Sequence, residues 1–507
     1  MNTPMRQEPF THGEITFAYR LYGPEKASDR LPLVVCLPDK GNGTDVMLSA
    51  FCSGEAQRAH PAFVLIPECP KGKGWDDADC AQALQRLLFK IRLEHPMDLC
   101  MTYLVGAGVG AVGAWHLLGS YPRVFAGTIA IDGCGDPYHA RNAKFSPVWA
   151  FHAAQDARID TRCGGTVHGR RHLAGSWRLV TALRTVGSQL ARYSEEPGEA
   201  DTLAQRVLSR PEVRDWLFAQ DRMKVAWVEN LYPGLWRIDD YFMSSCYLVE
   251  GADRALLIDT TMAEVDLKAI VAKLTDKPVS VAITHPHLDH MMHAHAFSPV
   301  YVHPQDIERM PDILAECSQV NTVAKMFPNT ARHRWPEGFT SLPQAQPIRD
   351  GETIDLGGGV VIEAAYLGGH TPNHMAFIDR AHRCVFTGDA IGSGYVVGVN
   401  YKEGQFTQTY EWYHRNLCAF AERIEPCEEY TFFGGHFIQE NSCVDEMQED
   451  YLNGQSEFFV PLSAEVLRDM ITLCEEILDH RHDAVIPSDG SEFFVTRGAA
   501  SLAGRRI

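Results

Sequence analysis

The segment Thr284–His290 reads T-H-P-H-L-D-H and follows directly on an apolar run, Val279–Ile283. It limits what this part of the chain can become. In extended backbone, residues i and i+2 point the same way, so His285 and His287 can share one metal ion. Asp289 and His290 then turn toward a second ion as the chain enters a helix. Imidazole with carboxylate suits zinc, iron or manganese. Four ligating residues within six positions after a strand are hard to reach by composition alone.

The chain has 507 residues, too many for one ordinary core, so two or three domains are expected. The first 220 residues alternate strand and helix signals. Leu33–Leu37 and Phe63–Ile66 read as buried strands, Asp79–Glu94 as an amphipathic helix, and Tyr103–Val105 enters a glycine-rich turn. Ala111–Leu118 and Leu173–Val186 read as helices, and Val148–His152 as a further strand. This alternation predicts a parallel, doubly wound sheet. Near Ala219–Lys224 the pattern changes to hairpin-like strands. A helix with Leu267, Ile270, Val271 and Leu274 on one face follows. The C-terminal stretch shows a helix, Ser463–Asp479, and the strand-like S-E-F-F-V-T, which a lid or an oligomer contact would equally use. The expected domains are 1–220, 221–454 and a helical extension, 455–507.

The net charge of −19 argues against a nucleic-acid partner, because phosphate recognition needs clustered positive charge. No run approaches 18 apolar residues, so no membrane span is expected. The first ten residues lack an apolar h-region, and the 14 Cys are scattered without C-x-x-C pairs. Both features predict a cytoplasmic protein with reduced thiols. A small-molecule substrate is the expected partner, and a homo-oligomer is left open.

T-H-P-H-L-D-H resembles the H-x-H-x-D-H signature of the metallo-β-lactamase superfamily. The resemblance continues through G-G-H-T-P-N-H at Gly368–His374, F-T-G-D-A at Phe386–Ala390 and F-F-G-G-H at Phe432–His436, and covers roughly Val225–Glu440. L-L-I-D-T at Leu256–Thr260 resembles the first family motif. The resemblance implies an αβ/βα sandwich holding two divalent ions, zinc first, with iron or manganese as alternatives. It implies that His285, His287 and His370 bind one ion and that Asp289, His290 and His436 bind the other. Asp389 would bridge them and Asp259 would support the site from behind. A hydroxide between the ions would be the nucleophile, with Asp289 shuttling a proton. The filled bridging position and His290 resemble glyoxalase-II-like thioesterases and lactonases more than true β-lactamases. Ester, lactone or thioester hydrolysis is therefore expected. Phosphodiester hydrolysis, β-lactamase-like amide hydrolysis and a non-catalytic binding role are the alternatives. Tyr395 and Tyr401 follow Asp389 and are candidates to hydrogen-bond a substrate oxygen, with plain packing equally open. Met291, Met292 and His293 depart from the family's x-G-G, which makes His293 a candidate residue beside the site.

The first 220 residues resemble an α/β-hydrolase of the polyhydroxybutyrate-depolymerase or feruloyl-esterase type. The resemblance rests on L-P-L-V-V-C-L-P-D-K-G-N-G, I-P-E-C-P-K-G-K-G-W and V-W-A-F-H-A-A-Q-D. The nucleophile elbow should read G-x-S-x-G, but Gly108 stands at the serine position. Asp156 fits the usual acid. No histidine follows Tyr193 where the base is expected, and His168 and His172 come too early. Without serine and base no Ser-His-Asp chemistry is expected, which leaves a binding or scaffolding module.

Overall fold

The computed structural model describes residues 6–23, 30–39, 43–165, 173–241, 244–318, 339–393, 396–437, 439, 460–482 and 484–507. The described residues form two compact units, one running to Arg222 and the other starting at Met223.

The first unit is built on eight strands: β1 (Arg6–His12), β2 (Ile15–Tyr22), β3 (Leu31–Leu37), β4 (Phe63–Pro67), β5 (Met97–Ala107), β6 (Gly127–Ile131), β7 (Val148–Ala153) and β8 (Ala191–Glu196). They lie in the order β1-β2-β4-β3-β5-β6-β7-β8. β2 runs antiparallel to both neighbours, and β4 through β8 are parallel. Helices cover both faces, so both alternating sets of each central strand are apolar. Leu33, Val35 and Leu37 pack with Leu84, Leu87 and Ile91 of the helix Ala78–Glu94. Val34 and Cys36 face the other way, toward Phe51, Leu203 and Val207. This is an α/β-hydrolase-like sheet. The helix expected from Leu173 starts at Ser176, because Ala174–Gly175 pairs with Cys134–Gly135 instead.

The second unit contains two sheets. One has seven strands: β9 (Trp227–Tyr232), β10 (Leu235–Asp239), β11 (Ser245–Glu250), β12 (Ala255–Ile258), β13 (Val279–Ala282), β14 (Val300–Val302) and β15 (Ala345–Pro347), in chain order. The other has five: β16 (Thr353–Asp355), β17 (Val361–Tyr366), β18 (Met375–Asp379), β19 (Cys384–Gly388) and β20 (Thr431–Gly434). Tyr247, Val249, Leu256 and Ile258 of the first sheet pack against Ile362, Phe377, Phe386 and Phe433 of the second. On the outer face of the second sheet, Ile378, Val385 and Phe432 pack under the helices Phe406–Arg423 and Ala464–Leu478. These are the layers of a metallo-β-lactamase sandwich.

Two local expectations change. The helix read to Leu274 ends at Val271. The C-terminal segment is more than a helical extension. Its helix shares the core of the second sheet, and a hairpin follows it, β21 (Phe493–Arg497) with β22 (Ala500–Gly504). No helix among the described residues is long and apolar enough to cross a membrane.

Leu467 is fully buried in that shared core. Leu467→Ala is expected to destabilise the second unit by about 2–5 kcal/mol, the usual range for a leucine truncated in a close-packed interior. Equilibrium urea unfolding checks this; an unchanged midpoint would mean the helix is only an appendage.

Candidate metal centre

The site residues leave strand ends that the sheet pairing brings side by side. β12 and β13 are parallel, so Asp259, after one, stands next to Thr284, after the other. β19 and β20 are also parallel, with Gly388 opposite Gly434, which brings Asp389 beside His436. His370 lies in the turn between β17 and β18.

Three imidazoles form one donor set. His285 Nε2 lies 2.9 Å from His287 Nδ1, and His370 Nε2 lies 3.0 Å from the same atom. Burial pushes all three down, His370 to about 3, and the neighbouring imidazoles push His285 and His370 further. They are therefore neutral, with lone pairs available. Asp289, His290, Asp389 and His436 form a second set. His290 Nε2 lies 3.4 Å from both Asp289 Oδ2 and Asp389 Oδ2, and His436 Nε2 lies 3.2 Å from Asp389 Oδ2. Burial works to raise both carboxyls, but the charges of His290 and His436 outweigh it and hold Asp289 and Asp389 low. Asp389 Oδ2 is also 4.0 Å from His285 Nε2 and 3.8 Å from His370 Nε2, so it faces both sets.

The donor atoms fit two divalent cations. Lone-pair nitrogens this close suit a common ligand distance of about 2 Å. His290 Nε2 and Asp389 Oδ1 are buried without a hydrogen-bond partner, a costly arrangement unless an ion takes them. The site also needs glycine at 435, where a Cβ would come within 2.3 Å of Asp389 Oδ1 and 2.6 Å of His290 Cε1.

Asp259 sets the tautomers. Its Oδ1 accepts the Thr284 N–H at 2.7 Å. Its Oδ2 accepts the Thr284 hydroxyl at 2.8 Å and His290 Nδ1–H at 3.0 Å. Because the Thr284 hydroxyl donates to Asp259, its oxygen accepts Nδ1–H of His285, at 3.1 Å. Both rings then carry a proton on Nδ1, and once a cation displaces the second proton of the charged His290 ring, both turn an Nε2 lone pair into the site.

Several supporting residues escape sequence reasoning. His374 stacks on His285 with ring centroids 4.6 Å apart and donates to the Thr387 carbonyl. Gln439 accepts the His436 N–H and donates to the Ile391 carbonyl, tying together the two segments that carry His436 and Asp389. Buried Asp240 accepts three backbone N–H groups, from Ser244, Met262 and Ala263. Buried Asn373 donates to Asp306 at 2.7 Å, anchoring the turn of His370. The Gln439–Ile391, Asp240–Met262 and Asn373–Asp306 contacts join residues far apart in sequence, so no local pattern marks them.

Two candidates fall elsewhere. Tyr401 is 7% exposed and packs in the outer core, edge-on to Phe406, because its segment runs under the helix Phe406–Arg423. It is a packing residue. His293 turns away from the donor sets: its ring bonds the Ala263 carbonyl at 2.8 Å, and burial pushes it down to about 4. With its backbone N–H on Thr260 Oγ1 and its ring on Ala263 O, it ties the 260–263 turn. Tyr395 lies outside the described residues, as do His168 and His172.

In the first unit the elbow persists without its nucleophile. Gly108 has φ 52° and ψ −118°, and a Cβ there would meet the Asp39 carboxylate at 2.2 Å. Asp39 Oδ1 accepts the Val109 N–H at 3.3 Å, and Arg158 pairs with Asp39 Oδ2 at 3.3 Å. The space above the elbow is thus filled by an internal carboxylate. Asp132, His152 and Asp156 also cluster. Both His152 nitrogens are engaged, by Ile159 O and Ser176 Oγ, and Ser176 gives its own proton to Gly133 O. His152 is therefore a donor on both sides, a buried cation between two carboxylates and not a metal ligand.

Residues 239–436 match the Metallo-beta-lactamase superfamily, and this stretch is a metallo-β-lactamase domain. An uncharacterised protein of Mycobacterium tuberculosis is 29% identical over 160 residues, covering 29% of this chain and 67% of that protein. A hydroxyacylglutathione hydrolase of Francisella tularensis subsp. novicida is 22% identical over 176 residues, 35% of this chain and 58% of its own length. A thermostable esterase structure is 24% identical, covering 43% of this chain and 63% of that chain, with a TM-score of 0.38. At that score the likeness adds nothing to the strand order. The domain, with its His- and Asp-rich metal-binding groups, is of the metallohydrolase type.

Asp259→Asn keeps the shape but sets an N–H donor against either Thr284 N–H or His290 Nδ1–H. Zinc affinity, read by chelator competition, is expected to fall about 10–100-fold. Equal affinity would show that Asp259 does not orient these rings.

Proposed function

We propose that this chain hydrolyses a carboxylic ester, lactone or thioester of a small molecule, using two zinc ions held in the second unit. The observation that carries the reading is Asp389, whose Oδ2 lies within 4.0 Å of nitrogens from both donor sets. The likeness to a hydroxyacylglutathione hydrolase agrees with it. When bound, the two ions would polarise the scissile carbonyl and bring the pKa of water toward neutrality. The chain's residues do the rest. His285, His287 and His370 supply neutral nitrogens on one side, and Asp289, His290 and His436 supply the other. Asp259 keeps His285 and His290 in the tautomer that leaves Nε2 free. In this reading Asp289, besides its place in the second donor set, is also the proton shuttle. The first unit contributes no Ser-His-Asp chemistry, because Gly108 carries no hydroxyl and Asp39 covers it. Its role is binding or scaffolding. The acidic balance and scattered cysteines favour a cytoplasmic enzyme without a nucleic-acid partner.

The test is a panel of esters, lactones, thioesters, amides and phosphodiesters, run with the zinc-loaded protein and with His285→Ala. Turnover of a carbonyl substrate is expected, with kcat/KM at least about 100-fold lower in the variant. Turnover confined to phosphodiesters, or unchanged in His285→Ala, would overturn the proposal.

A further inference from the structure

Asp240, just past β10, is fully buried and holds two stretches of chain together. Its Oδ1 accepts the Ser244 N–H at 3.1 Å. Its Oδ2 accepts the N–H groups of Met262 and Ala263 at 2.9 and 2.8 Å. Burial lifts its carboxyl to about 6 against the pull of those three N–H groups. The link falls where strand pairing gives out. The pairing of β11 with β12 ends at Tyr247 and Ile258. Beyond it the two chains part: the Ser245 N–H bonds Gly435 O at 2.8 Å, and the Asp259 N–H bonds Ala282 O at 2.9 Å. Asp240 joins them again.

Each joined stretch carries a ligand of the same donor set. Ser244 forms an antiparallel bridge with His436. On the other side, the Thr260 N–H and hydroxyl both bond His290 O, at 2.7 and 3.2 Å. The His293 N–H bonds Thr260 Oγ1 at 3.1 Å, and its ring donates to Ala263 O at 2.8 Å. The backbones of His290 and His436 therefore hang on the two stretches that Asp240 ties. The other donor set is held differently. Asp259, which orients His285 through Thr284, leaves the β12–β13 pairing directly. His370 sits in a turn anchored by the Asn373 bond to Asp306.

We propose that Asp240 is a positioning residue for the second cation: by tying Ser244 to the 260–263 turn, it sets the spacing of His290 and His436 before the ion binds. The proposal rests on the reading of these donors as a two-metal centre. Rings on separate loops must be ordered when the ion binds, unless something holds the loops beforehand. A carboxylate suits this task because both of its oxygens accept and neither donates.

The test is Asp240→Ala, with zinc binding read by chelator competition. One of the two binding steps is expected to weaken about ten-fold or more. Anomalous scattering from crystals of the variant at limiting zinc is expected to show the surviving ion beside His285, His287 and His370. Leu467→Ala, which loosens the outer core, is expected to keep both steps. No weakening, equal weakening of both steps, a surviving ion beside His290 and His436, or the same loss in Leu467→Ala would each overturn the proposal. If Asp240→Ala does not melt cooperatively, hydrogen exchange in the full chain decides. The Met262 and Ala263 amides are expected to be protected already in the metal-free protein and little changed by zinc. Protection that appears only with zinc would overturn the proposal. No readout uses turnover. A full chain that takes up two zinc ions and hydrolyses nothing would sink the proposed function and leave this inference standing. A working hydrolase whose Asp240→Ala form binds both ions as tightly would do the reverse.

Discussion

A carboxylate buried at the end of β12 carries the geometry of the site. Asp259 is 2% exposed and sits at φ 60°, a backbone conformation side chains rarely adopt. Burial works against its charge, raising its pKa, while the His290 ring and the Thr284 N–H and hydroxyl work the other way. That trade is the cost of orienting two imidazoles at once, one directly and one through a hydroxyl. Without it each ring could present either nitrogen, and donor atoms close in space would not converge. The strain and the desolvation both sit one residue beyond a core strand, where the packing of Leu256 and Ile258 against the second sheet holds the backbone.

The donors were legible because ligand chemistry is local. A histidine pair two residues apart after an apolar run says what it can do, and the later motifs add one donor each. Asp259 was legible for the same reason. The supporting contacts were not, since Gln439–Ile391 and Asn373–Asp306 bring together residues 48 and 67 positions apart. Tyr401 shows the opposite failure. Its place after Asp389 suggested the site, but position along a chain does not say which way a side chain points, and the helix that buries it begins five residues later. His293 is a similar case, its ring taken by a carbonyl on the far side of the turn. For the fold, the change in strand pattern near Ala219–Lys224 was visible. The hairpin at the C-terminus was visible only as one strand, because A-S-L-A-G has little side-chain alternation to read.

The first unit keeps a tight strand-to-helix elbow at Gly108 with no nucleophile on it. The glycines around the elbow still permit the close approach of helix to strand: a Cβ at Gly110 would lie 1.9 Å from Leu37 O. Substituting serine at 108 would not restore a nucleophile, because Asp39 already occupies that space and Arg158 neutralises it. His152, charged between Asp132 and Asp156, is part of the unit's internal balance. Burial pushes Asp132 up to about 6, against the pull of the Ala153 N–H and the His152 charge. The charged groups of this pocket thus pair chiefly with one another.

The central claim is that the second unit holds two cations sharing Asp389. Anomalous scattering from zinc-loaded crystals tests it most directly. Two peaks are expected, one bounded by His285, His287 and His370, the other by Asp289, His290 and His436, with an Asp389 oxygen touching both. A single peak, or a pair of peaks that leaves Asp389 uncoordinated, would contradict the account.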